Sequence, residues 1–296
     1  MGWQLFRLTY ELLSPLHIGY HKVGNVQRTR YYVPARNLWA AVTERLTRSG
    51  FDLPAVAKGD YRRVGEWVQK HCAFSYFFLC EGDELLNPCY TAEGLRYGDF
   101  SAAEFERRYL SAHVSTALDA ATTSARQGSL HEIEFIAPYH PANPGGSERV
   151  ARTRLCGWVF LDQEGIHLLG DEQRWRNWLN ELQIGGERRY GFGSLRVKEG
   201  PEAAQQLAYG EHHDIQLGGA RPQIKVPTCG PLLAHTAVQG IEARGMIEPL
   251  VGRETRRDSQ GFGQALTPAR LSWQPGSVIK QEQWLTLDET GMWRVC

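Results

Sequence analysis

An α+β fold, built on one βαββαβ unit over residues 1–200 and followed by a smaller β-rich part, is the architecture this sequence predicts. Three observations carry that expectation. Several short segments alternate apolar and polar residues at the strand period, and two others place apolar residues at the helical period. With insertions removed, those segments run strand, helix, strand, strand, helix, strand through residue 198. From about Pro201 the chain turns richer in glycine and proline and reads as β.

Trp3 to Leu13 opens the series, with Trp3, Leu5, Leu8, Tyr10 and Leu12 as its apolar positions. The stretch SPLHIGYHKVGNVQRTRYYVPAR has two glycines and no regular period, so it reads as a loop. A helix begins near Pro34, where proline suits a first turn. Leu38, Ala41, Val42 and Leu46 form its apolar face, and Gly50 ends it. Residues 52–70 read as a loop and a short helix around Trp67, and CAFSYFFLC (72–80) as a buried strand. Residues 83–129 have a poor pattern and read as an extended or partly helical insertion. LHEIEFIAP (130–138) and RTRLCGWVFLD (152–162) alternate as strands around the loop HPANPGGSER. A helix is expected over residues 171–182, with Asp171 as N-cap and a stripe of Trp175, Trp178, Leu179 and Leu182. SLRVK supplies the last strand of what is then the ferredoxin-like order. Residues 201–296 are an all-β cap or a second, degenerate copy of the unit.

The chain has 296 residues, 42% hydrophobic and 22% charged, with a formal net charge of zero. Any phosphate-binding surface must therefore come from local segregation of charge. The six cysteines form no CxxC pair, which removes zinc ribbons and redox dithiols from the candidates and suits a reducing compartment. No stretch approaches the roughly 18 apolar residues of a membrane span, and the N-terminus lacks a leader pattern. A soluble cytoplasmic protein is the expectation.

GGERRYGFGSLRV (185–197) gathers four glycines, Arg188, Arg189, Tyr190 and Phe192 in its first nine residues. Glycine permits close backbone approach and positive φ, arginine favours phosphate, and the rings stack on bases or fill core. The loop precedes a strand, the reverse of the dinucleotide fingerprint, and holds no GKS or GKT, so neither a Rossmann nor a P-loop site is written here. Taken alone it also fits an ordinary connection rich in turn residues. A second cluster sharpens the reading. Residues 12–43 contain no Asp or Glu, while Lys22, Arg28, Arg30 and Arg36 fall within fifteen positions among Tyr20, Tyr31 and Tyr32. Cations interleaved with aromatics suit single-stranded nucleic acid, by phosphate pairing plus base stacking. A solvated loop with half-buried tyrosines is the plain alternative. In the ferredoxin-like order the loops after the first strand and before the last lie on neighbouring strands, so the two clusters are expected to form one surface.

A G-x-x-R-x-G-x-G loop before the last strand of such a unit resembles the repeat-associated (RAMP) superfamily of CRISPR-associated RNA-binding proteins. LSPLHIG, YYVPARNLWAAVTERL, TTSARQGSLHEIEFIAP and LLGDEQRWRNWLNELQIGGERRYGFGSLRV support the resemblance across about the first 200 residues, and PGSV is similar to the second half of two-part members. It is nearest to subunits of type III effector complexes. The resemblance implies a non-catalytic CRISPR RNA-binding subunit of an antiviral ribonucleoprotein, either capping the 5′ handle of the RNA or forming the backbone. Other type III effector subunits and target RNA would be its partners, with no cofactor, metal or membrane. Gly185, Gly186, Arg188, Arg189, Tyr190, Gly191 and Gly193 would hold RNA, and Lys22, Arg28, Arg30 and Arg36 would extend that surface. Phe192 would stack on a base or plug the core. Residues 101–129 would form a thumb-like element that separates nucleotides or touches a neighbouring subunit. PARNLWAA departs from the family's Gly-Ser-rich turn, with bulkier Ala35 and Asn37 at the helix start.

Chemistry stays open at this point. Target-cutting backbone members use an aspartate in the loop after the first strand, where this chain has no carboxylate; Asp119 is a lone candidate in the insertion. RNA-processing members use a histidine as general base for attack by the 2′-hydroxyl, leaving a cyclic phosphate. His17 and His21 lie in a suitable loop, with Lys22 or Tyr31 to assist, although a histidine between Leu16 and Ile18 also reads as packed. A metal-independent CRISPR RNA-processing endoribonuclease and a target-RNA-cutting backbone subunit are thus the catalytic alternatives. A protein-only assembly subunit is the third class. His212-His213-Asp214 lacks further spaced ligands and reads as exposed rather than as a metal site.

Overall fold

In the computed structural model, which describes residues 2–50, 53, 59–142, 150–167, 175–209, 211–254 and 265–296, the first strand β1 (Gln4–Leu12) lies inside an eight-stranded sheet. After it come β2 (Gly19–Val23), β3 (Val26–Thr29), β4 (Tyr32–Val33), α1 (Ala35–Ser49), α2 (Tyr61–His71), β5 (Cys72–Phe74) and β6 (Phe77–Glu81). The next elements used below are α3 (Ala102–Tyr109), β7 (Leu110–Ser115), β8 (His131–Ile136), β9 (Arg154–Leu161), β10 (Glu181–Gln183) and β11 (Ser194–Ala204). The main sheet runs β10-β11-β1-β9-β6-β4, with β5 also against β9. β1 is antiparallel to both neighbours, Tyr10 lying opposite Leu155 on one side and Val197 on the other.

Apolar spacing explains the layer beneath the sheet. α1 buries Leu38, Ala41, Val42 and Leu46, each large aliphatic side chain contributing about 1.5–3 kcal/mol on burial. Pro34 precedes its first turn, and Gly50, at φ 62°, closes it by donating to the carbonyls of Leu46 and Thr47. Tyr10 reaches down from β1 to donate its hydroxyl to the Leu179 carbonyl at 2.9 Å. Gly157 on β9 is required by close approach: a Cβ there would lie 2.3 Å from the Phe77 ring.

Two expectations are corrected. The stretch after β1 is a β-hairpin, β2 with β3, and not an irregular loop. It belongs to a second sheet, β7-β8-β3-β2, in which β8 and β3 are parallel. The insertion over residues 83–129 is partly extended and partly helical, as expected. Residues 88–101 form a three-stranded meander, and α3 starts at a reciprocal cap in which Ser101 and Glu104 bond each other's backbone. Of the helix expected over 171–182, the described residues keep Trp175 helical and Arg176–Asn180 as a π-helical turn, but its last residues are strand: β10 joins the sheet edge with Leu182 opposite Leu195. Trp178 and Leu179 are buried as the stripe required, whereas Asp171 lies outside the described residues.

Residues 215–295 supply a seven-stranded sheet, ordered Ile215–Gln216, Gln223–Val226, Gln283–Leu287, Trp293–Val295, Thr236–Ala237, Arg270–Trp273 and Ile247–Leu250. It meets the N-terminal part through a buried polar chain. Arg30 Nη1 donates to Glu248 Oε1 at 2.7 Å, Glu248 touches Nε2 of the fully buried His235, and His235 Nδ1 lies 2.7 Å from the Tyr76 hydroxyl. A neutral imidazole satisfies both contacts, Nε2–H donating to the carboxylate and Nδ1 accepting from tyrosine. Burial lowers the His235 pKa accordingly. Burial also works to raise that of Glu248, but the hydrogen bonds from His235 and Arg30 overcome it and leave the carboxyl at about 2.

Candidate nucleic-acid interface

Between β10 and β11 the glycine-rich loop folds down onto Pro15–Ile18. Gly186 N–H donates to the His17 carbonyl at 2.8 Å, Gly193 N–H to Pro15 at 2.7 Å, and Ile184 N–H to Gly193 at 2.9 Å. A Cβ on Gly185 would lie 2.3 Å from the His17 carbonyl oxygen, and one on Gly193 would lie 1.8 Å from that of Ile184. Gly185 and Gly193 therefore serve the chain's own docking. Gly191 differs, with φ 83° and nothing within 4 Å of an added Cβ. Gly193→Ala is accordingly expected to destabilise the protein by about 3 kcal/mol, and Gly191→Ala by only about 1 kcal/mol, in urea unfolding.

That docking pushes one tight turn outward. Arg188–Tyr190 stands between two left-handed residues, Glu187 and Gly191, and Tyr190 is 78% exposed. Arg189 is also exposed, while Arg188 is held by Glu44 of α1 at 2.5 Å. Phe192, half-buried, packs edge-on against Phe135 of β8, ring centroids 5.5 Å apart.

The second cluster follows directly on the segment under the loop, and it divides. β2 is exposed along its whole length and presents His21 and Lys22. His17, 5% exposed, donates Nδ1–H to the Glu134 carbonyl at 2.7 Å, with Gly186 against its ring. The Glu134 side chain in turn holds Arg28 Nε at 2.8 Å and the Thr29 N–H at 3.0 Å. Glu134 thus ties β8, β3 and the segment under the loop together. Arg28 also bonds the Tyr31 hydroxyl, which donates to Glu106. Arg30 does not extend the surface: it is turned inward to Glu248, with Tyr20 over its guanidinium at 4.5 Å. Arg36, on the first turn of α1, runs alongside Gly252. Ala35 at that helix start is buried against Gly291 of the C-terminal part.

The remaining candidates are local. Asp119 accepts from the backbone of Ala121 and Thr122 and so caps its own turn. His213 is buried, contrary to an exposed reading, Asp214 faces Lys225 at 3.9 Å, and the His212 side chain lies outside the described residues. Among the described residues no three His, Cys, Asp or Glu side chains converge as a metal site, and no helix is long and apolar enough to cross a membrane. Three carboxylates that hold the basic clusters were missed by sequence reasoning, Glu44, Glu134 and Glu248. Each is far in sequence from its arginine, so no local spacing signals the pairing.

No family model matches this chain, and no curated protein matches it. Its fold is similar to a chain in the cryo-EM structure of the Type III-B Cmr-beta bound to cognate target RNA and AMPPnP, state 1: TM-score 0.52, 11% identity, covering 93% of this chain and 86% of that one. The fold is shared with a Type III-B Cmr-beta chain. A second such structure, bound to cognate target RNA, gives a TM-score of 0.52 at 10% identity with the same coverage. At that identity the likeness is one of fold, mixed α+β and rich in strands.

Proposed function

We propose that this chain is a non-catalytic CRISPR RNA-binding subunit of a type III effector ribonucleoprotein, holding the 5′ handle or the backbone of the guide RNA. Other effector subunits and target RNA are its partners, and the cytoplasm its location. The observation that carries this reading is the outward turn Arg188–Tyr190, whose loop docks by backbone hydrogen bonds on Pro15–Ile18, the segment that runs directly into the exposed strand Gly19–Val23. Arg188 and Arg189 pair with phosphates, Tyr190 stacks on a base, and Lys22 extends the track. Arg28, paired with Glu134, and Arg36 on the first turn of α1 line its edge. The sheet order supports a ferredoxin-like unit over residues 1–200: β1 is flanked by β11 and β9, and β6 lies outside β9. Residues 201–296 then form the second part. Crosslinking the protein to single-stranded RNA tests the surface. Crosslinked peptides containing Tyr190 and His21–Lys22 are expected, and crosslinks confined elsewhere would contradict it.

Of the two histidines the endoribonuclease alternative names, only His21 is exposed, because His17 is buried and its Nδ1–H is spent on a backbone carbonyl. CRISPR repeat RNA incubated with the protein in EDTA is expected to stay intact, with His21→Ala indistinguishable from the parent. A product that disappears in His21→Ala would establish the enzyme instead.

A further inference from the structure

We infer that Tyr139 and Arg152 form a second stacking site for an unpaired base of single-stranded RNA, outside the glycine-rich loop; the inference rests on the RNA-binding reading above. Tyr139–Pro141 pairs antiparallel with Val150–Arg152, which sets Tyr139 directly opposite Arg152. Cross-strand partners stand close enough to interact, and here they do. The Arg152 guanidinium lies 4.6 Å from the ring centroid, and Nη2 donates to the Tyr139 hydroxyl at 2.5 Å. Nη1 is anchored on the Leu12 carbonyl at 2.9 Å. The ring is therefore held before any ligand arrives, which lowers the ordering cost of stacking on it. It is nevertheless 49% exposed, unlike Tyr10 and Tyr76, which are buried.

Position distinguishes this ring from an ordinary surface tyrosine. The backbone that anchors Arg152 also seats the glycine-rich loop: Leu13 N–H donates to Ser194, and Gly193 N–H to Pro15. Leu16 exchanges both backbone hydrogen bonds with Ile136, three residues before Tyr139. Tyr139 and the turn Arg188–Tyr190 are consequently carried by one rigid segment, Leu12–Leu16. An aromatic plane with a fixed cation beside it suits a nucleobase and its phosphate.

The test is fluorescence anisotropy with a labelled single-stranded oligouridine, comparing the parent protein, Tyr139→Ala, Tyr139→Phe and Arg188→Ala/Arg189→Ala. Tyr139→Ala is expected to weaken binding about tenfold with an unchanged salt slope, and Tyr139→Phe to keep affinity within about twofold, since the plane and not the hydroxyl does the stacking. Parent-like affinity of Tyr139→Ala alongside a weakened double arginine variant would overturn this site and leave the RNA-binding reading standing. Absence of binding by the parent protein would overturn both. Should Tyr139→Ala fail to fold, the parent is crosslinked to 4-thiouridine RNA. A crosslink mapped to Tyr139 then supports the site, and its absence while Tyr190 crosslinks overturns it.

Discussion

Replacing Arg188 and Arg189 together with alanine is expected to weaken single-stranded RNA binding by tenfold to a hundredfold at low salt, on the order of two lost phosphate contacts. The slope of log K against log salt should flatten by about 1.4, since each phosphate contact on a single strand contributes about 0.7. Both side chains are exposed and leave the glycine docking untouched, so the fold is retained. Glu44 keeps Arg48 and loses only Arg188, a half-exposed pair worth at most about 1 kcal/mol. Titrations at several salt concentrations, with the unfolding midpoint as control, read both quantities. An unchanged affinity and slope would reduce the loop to a turn.

Glu248→Ala is expected to cost about 3–5 kcal/mol in urea unfolding, because Arg30 stays buried with its charge uncompensated. The same carboxylate makes the protein acid-sensitive. Its folded pKa, about 2, lies below the ordinary 4.5, so the unfolded chain takes the proton first. The contribution is complete above about pH 5 and is lost as pH falls toward 2. Stability measured across that range should fall more steeply for the parent than for Glu248→Ala, and parallel curves would show that the ion pair is not what joins the two parts.

How much of this was legible in sequence depended on which residues were buried. α1 could be read to its ends because Pro34, a four-residue apolar stripe and Gly50 each act locally. The buried strand around Trp158 was equally plain, whereas the apolar run 72–80, read as one strand, divides at Ser75–Tyr76 into β5 and β6. The hairpin of β2 and β3 was not, since β2 is solvent-exposed on every residue and no burial imposes an alternation. Leu182 fitted a helical stripe, but its pairing with Leu195 at the sheet edge outweighed that period. The basic cluster shows the same limit. Residues 12–43 have no carboxylate, yet Arg28 and Arg30 are neutralised by Glu134 and Glu248, which lie more than a hundred residues further on. Ion pairs across the fold leave no trace in local composition. Local composition did point to Arg188, Arg189 and Tyr190, which the fold leaves outward on a turn.

Expressing the chain together with a CRISPR array, purifying it and sequencing the RNA that comes with it tests the central claim most directly. Repeat-derived RNA with a uniform 5′ end, intact after incubation in EDTA, is the expected result. Recovery of no RNA, or of RNA unrelated to the repeat, would contradict it.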